Sequence, residues 1–113
     1  MYINVNGERW RFVEVNPNDK HLVRSDNISV LGVTDNSDKT VYISNRLNDF
    51  MKRKVTTHEI CHVFCFSYGI YLPLEVEETV ADFVASYGRD IIEVAWANRV
   101  KNRQGFSRIF KSK

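Results

Sequence analysis

The sequence predicts an α+β domain, with a small sheet in its first half and two helices in its second. Three observations lead there. Residues 2–44 break into short β-rich runs separated by Asn, Gly and Asp turn signals. Residues 48–68 contain neither glycine nor proline, and the segment from Glu75 to about Lys101 repeats apolar side chains at a helical period. The whole chain, residues 1–113, has the length of one compact domain.

Taken in order, Tyr2 to Val5 alternates apolar and polar residues, and Asn6-Gly7 is a strong two-residue hairpin signal. A second strand follows from Glu8 to Val15 around Trp10, Phe12, Val13 and Val15. Asn16-Pro17-Asn18-Asp19 has loop chemistry, Ile28 to Val33 is β-rich, and Asp35-Asn36-Ser37-Asp38 is a turn before the strand Thr40–Ser44. The expectation is a sheet of three or four mostly antiparallel strands. It packs against a first helix that Gly69 stops, and against a long C-terminal helix beyond Pro73. The second helix opens with Glu75, Glu77 and Glu78, which suit the positive end of a helix dipole. Its apolar stripe runs through Val80, Phe83, Val84, Tyr87, Ile91, Val94 and Ala95.

Composition narrows the function classes. With 43% hydrophobic and 12% aromatic residues the chain can build a core, which excludes a disordered segment. No run approaches the ~18 apolar residues of a membrane span, so no membrane role is expected. Met1 to Asn6 lacks the basic and apolar blocks of a signal peptide. Cys61 and Cys65 lie four apart on one helix, which suits reduced thiols and a cytoplasmic setting better than a disulfide. The net charge is +2, but residues 99–113 hold six cations and no acid. This basic tail, about 102–113, reads as a solvated helix end, and no helix-turn-helix or stacking platform accompanies it or Lys52-Arg53-Lys54. A nucleic-acid partner is not expected. His21, in a polar segment, reads as a surface histidine.

The stretch that carries chemistry is His58-Glu59-Ile60-Cys61-His62, an H-E-x-x-H pattern. On a helix the two histidines are separated by about 40° and both can reach one metal ion. Glu59 sits on the flank of that face, within reach of a general-base role on the attacking water. An open zinc site needs a third protein ligand. Glu78 is the first candidate, because Asp82 lies one turn later on the same face and can hold one histidine in the right tautomer. Glu75 and Glu77 compete for the same role. Cys61 and Cys65 read as small buried core residues rather than as a second metal site.

The chain resembles small gluzincin-like metallopeptidases of the ImmA/IrrE type and their phage-encoded relatives. The resemblance covers roughly residues 28–95. It rests on an Ile-rich strand, on Thr40-Val41-Tyr42-Ile43-Ser44, and on Thr56-Thr57 before H-E-I-C-H. It continues through Tyr68-Gly69 and Glu77-Glu78-Thr79-Val80-Ala81-Asp82-Phe83. It implies a zincin-like fold with one zinc ion held by His58, His62 and Glu78, and Glu59 as the catalytic carboxylate. It implies hydrolysis of a peptide bond in a protein or peptide substrate, such as a regulatory protein of a phage or mobile element. It also implies that Thr40, Val41, Tyr42, Ile43 and Ser44 pair with an extended substrate. An oxyanion stabiliser is needed, and Tyr68 and Tyr71, between the ligands in sequence, are the candidates, with packing or capping as their other role. The competing expectation is a zinc-binding but non-proteolytic module that recognises a partner through a strand edge.

Overall fold

The computed structural model of the chain describes residues 1–101, the side chains of 98–101 excepted. The basic tail at 102–113 lies outside the described residues. Two strands open the chain, β1 at Tyr2–Val5 and β2 at Glu8–Val15, joined at Asn6 and Gly7. Both turn residues have positive φ, 49° and 80°, as a tight hairpin requires. A 3-10 turn at Lys20–Leu22 precedes β3 at Gly32–Asp35 and β4 at Thr40–Ser44. Two helices complete the architecture, α1 at Asp49–Ser67 and α2 at Leu74–Lys101. The α+β class and both helices are as expected from the sequence.

The sheet differs from the expectation in one respect. Its order is β1-β2-β4-β3, and the central β2–β4 pair is parallel while the two outer pairs are antiparallel. The sheet is therefore mixed. The reason lies in β4, all five of whose residues are buried. Val41 and Ile43 join the core with Val5, Trp10 and Val63, beneath α1. On the other face the 3-10 turn covers the sheet, with Leu22 buried and the His21 ring stacked on Tyr42 at 4.0 Å. A strand buried on both faces takes the centre of the sheet, which β4 reaches by pairing with β2 across the intervening turn and β3. His21 is thus not the free surface histidine that its polar neighbours suggest: it is half-buried and paired with Asp19 at 2.7 Å.

Local chemistry fixes the ends of α1. The Asn48 side chain accepts from the Met51 amide at 2.8 Å, an N-cap. At the other end Gly69 has φ +63°, and the Ile70 amide bonds the Cys65 carbonyl at 2.8 Å. This is the reversal that ends a helix on a left-handed glycine. It turns the chain through Pro73, whose carbonyl accepts from Val76 and Glu77, into α2 beside α1. Trp10 locks α1 to the sheet: it is fully buried, and its indole N–H donates to the Ser67 hydroxyl at 2.8 Å.

The orientation of α2 turns most of its apolar stripe away from α1. Glu77, Glu78, Asp82 and Ala85 line the cleft shared with α1, and Ala81 is fully buried. Val80, Phe83, Tyr87, Ile91 and Val94 are exposed. Those two sets lie about 150° apart on the helix. The small and acidic face turns inward because Ala81 allows close approach and the carboxylates find partners on α1.

Candidate metal centre

His58 and His62, one turn apart on α1, point their Nε2 atoms at each other, 3.2 Å apart. Glu78 reaches across from α2, with one carboxylate oxygen 3.2 Å from His58 Nε2 and the other 2.8 Å from His62 Nε2. The three residues each offer one ligand atom within 4.8 Å of the others. Each remaining ring nitrogen faces a carboxylate. His58 Nδ1 lies 2.8 Å from Asp82 Oδ1, and His62 Nδ1 bonds Glu77 Oε2.

The carboxylates at Nδ1 favour a proton on that nitrogen, which would leave each Nε2 lone pair free to bind a metal ion. In that tautomer two lone pairs and the Glu78 carboxylate converge on one point, a set that could hold a cation. Ligand atoms held about 2.0–2.1 Å from a tetrahedral zinc ion lie about 3.3 Å from one another, close to the separations seen. The donor set of two imidazoles and one carboxylate, with three further carboxylates around it, fits zinc.

Glu59 is buried, at 7% exposure, on the flank of the histidine face. The Thr34 hydroxyl lies 2.8 Å from its Oε1 and 3.0 Å from its main-chain carbonyl. Burial pushes the Glu59 carboxyl above the usual glutamate range, against the Thr34 hydrogen bond and the two imidazoles, which pull it down. Gly32 permits this arrangement. A Cβ there would stand 2.8 Å from Val55 Cγ1 and 3.1 Å from Glu59 Cγ. The centre opens into a cleft of about 730 Å³ walled by β3, α1 and α2.

The expected residues divide clearly. His58, Glu59, His62, Glu78 and Asp82 are brought together as anticipated. Glu77 is not a competing ligand in this geometry but the partner of His62. Burial pushes the Cys65 thiol pKa up, and the negative Glu77 carboxylate adds to that. Glu75 is exposed in the first turn of α2. Cys61 and Cys65 are free, half-buried thiols. Tyr68 and Tyr71 stand apart from the centre. Neither lines the cleft: Tyr68 caps α1 and stacks on Phe64 at 5.8 Å, while Tyr71 is 90% exposed. Tyr68 follows His62 by six residues, which carries it about 120° around α1 from the histidine.

The substrate-pairing strand is also corrected. Thr40 to Ser44 form β4, whose backbone is paired on both sides by β2 and β3. The edge strand beside the cleft is β3, through Gly32, Val33 and Thr34. Thr34 and Gly32 had not been singled out in the sequence. A lone glycine in a β-rich run, which marks close approach of another element, was the available signal. Comparison with known protein families, with curated proteins and with solved structures finds no match to this chain.

Proposed function

We propose that the protein is a small zinc-dependent peptidase, zincin-like in fold and of the ImmA/IrrE type. The observation that carries this reading is the convergence of the His58 and His62 imidazoles and the Glu78 carboxylate beside a buried, oriented Glu59. His58, His62 and Glu78 would hold the ion, and Asp82 and Glu77 would keep the rings in place. Zinc bound there supplies Lewis acidity, polarising a carbonyl and lowering the pKa of water. Glu59 takes the proton of the attacking water and delivers it to the leaving amine. Its raised affinity for a proton in the metal-free protein suits that shuttling. The edge of β3 pairs with an extended peptide and lays it across the centre. The free thiols support a reducing, cytoplasmic setting. The resemblance points to a regulatory protein of a phage or mobile element as substrate.

Metal analysis by mass spectrometry tests the centre. About one zinc per chain is expected in the wild type and in Glu59→Gln, with loss in Glu78→Ala. A wild type that takes up no zinc on reconstitution overturns the reading. One observation favours a second reading, a zinc-binding module that recognises a partner without cleaving it: neither candidate tyrosine reaches the cleft to stabilise an oxyanion. Glu59→Gln separates the two, since it abolishes peptide hydrolysis but leaves partner recognition intact.

A further inference from the structure

The cleft differs in charge from one end to the other. Its walls β3 and α1 run in the same direction: Gly32 faces Val55 and Glu59, and Thr34 bonds Glu59. The far ends agree, since Asn6, just before β2, bonds Ser67 at the end of α1, and β3 ends at that side of the sheet, where Asp35 pairs with Thr40 and Thr40 with Arg11. The wall α2 runs the opposite way, with Glu77 at His62 and Asp82 at His58. One end of the cleft therefore holds Lys54 and the residues leading into β3, and the other holds Phe66 and Leu74. Arg24 belongs to the first end, because its amide bonds the carbonyl of Ile28 in the segment before β3.

Both positively charged side chains that line the cleft, Arg24 and Lys54, thus stand at one end, on two different walls. Lys54 is exposed, and among the described residues its ammonium has no acid partner, whereas Lys39 and Lys52 pair with Glu8 and Glu14 at 3.1 and 2.9 Å. Arg24 gives one amine to Asp26 at 3.0 Å, with its side chain 58% exposed, and a guanidinium has further donors to offer. The acids of the cleft are engaged elsewhere: Glu59 accepts from Thr34, and Glu77, Glu78 and Asp82 face the histidines. Past Asp82, α2 presents Ala85 to the cleft rather than another carboxylate. A cleft with free positive charge at one end and apolar side chains at the other selects a ligand of matching polarity. From His58 back to Lys54 α1 rises about 6 Å. A strand covers about 3.3 Å per residue, so a carboxylate meets Lys54 from about two residues beyond the bond held at the centre. Antiparallel pairing on the free edge of β3 is the more stable kind, and it sends the C-terminal side of a peptide towards Lys54, the end at which β3 begins.

We propose that Lys54 and Arg24 form an anion subsite that selects peptides carrying a carboxylate about two residues after the scissile bond. The inference rests on the peptidase reading of the centre. The carboxylate is an Asp or Glu side chain or the C-terminus of the peptide itself. A decapeptide library randomised at every position, made with free and with amidated C-termini, is incubated with the zinc-loaded full chain, and the products are sequenced by mass spectrometry. In the amidated library Asp and Glu should be enriched at that position on the order of fivefold, the upper range for an exposed ion pair. Cleavage confined to the ends of the free library, and lost on amidation, identifies the C-terminus as the anion. Lys54→Glu should keep its fold and zinc content, because the side chain is exposed, and should pass the preference to Lys and Arg. Arg24→Gln should weaken the preference for acids without reversing it.

A second arm does not depend on hydrolysis. The same libraries are passed over immobilised, zinc-loaded Glu59→Gln, and the retained peptides are sequenced. Retention of acidic peptides together with no cleavage by the wild type overturns the peptidase reading and supports the subsite. Cleavage without a preference for a carboxylate, or with a preference that Lys54→Glu leaves unchanged, overturns the subsite and leaves the peptidase reading standing. Acids enriched only before the cut overturn the placement of the subsite. Neither cleavage nor selective retention overturns both.

Discussion

The hydroxyl of Thr34 on β3 stands 2.8 Å from Glu59 Oε1 on α1. The edge strand of the sheet therefore orients the carboxylate of the motif helix. Thr34→Val deletes the donor and leaves a buried carboxylate short of a partner, at a cost of about 1–3 kcal/mol in stability. Thr34→Ser keeps the hydroxyl and should retain most of the wild-type value. Urea unfolding of the three proteins measures the difference, and equal losses in both variants would show that the methyl group rather than the hydrogen bond matters.

Gly32 is the other half of this contact. A methyl group there meets Val55, Glu59 and Ile43 side-chain atoms at 2.8–3.2 Å. Gly32→Ala should destabilise the fold by about 1–3 kcal/mol, the usual range for overpacking. Displacement of Glu59 should also reduce any hydrolytic activity more than it reduces zinc content. A variant as stable as the wild type would mean that α1 and β3 separate easily.

The environment of Glu59 sets a pH dependence. Burial raises its carboxyl pKa, so the folded chain binds this proton more tightly than the unfolded chain does. The stability gained is complete below the ordinary glutamate range and is lost as pH rises through the folded value. In metal-free protein, Glu59→Gln should therefore melt at a higher temperature than the wild type at neutral pH. The difference should vanish below the ordinary glutamate range. Thermal melts at both pH values in the presence of a chelator decide it.

Glu77 and Asp82 hold the two histidines in different surroundings, with Glu77 at 15% side-chain exposure and Asp82 at 74%. Loss of a carboxylate partner of a metal-binding histidine lowers affinity by about 10–100-fold. Glu77→Gln should fall toward the upper end and Asp82→Asn toward the lower, because solvent replaces an exposed partner more readily. Both should still bind one zinc at saturation. Competition titration against a chromophoric chelator gives the affinities, and a larger effect at Asp82 would reverse the ranking.

Much of the centre is legible in the chain itself. The spacing of His58, Glu59 and His62 is a helical fact, and the i, i+4 relation of Glu78 and Asp82 is another; neither needs a fold to be read. The strand runs, the Asn6-Gly7 turn and the Gly69 stop are local chemistry too. Tertiary structure decided what periodicity cannot encode. Period two says that Thr40 to Ser44 form a strand, but not whether neighbours take one edge or both; burial on two faces drew β4 to the centre and left β3 beside the cleft. The period of α2 locates an apolar stripe but not its direction. The carboxylates of Glu77, Glu78 and Asp82 face the histidines of α1, and that turned Phe83 and Tyr87 outward. Local pattern follows from bonds and dihedrals within a few residues, whereas the choice of edge and face depends on which surfaces meet across the chain.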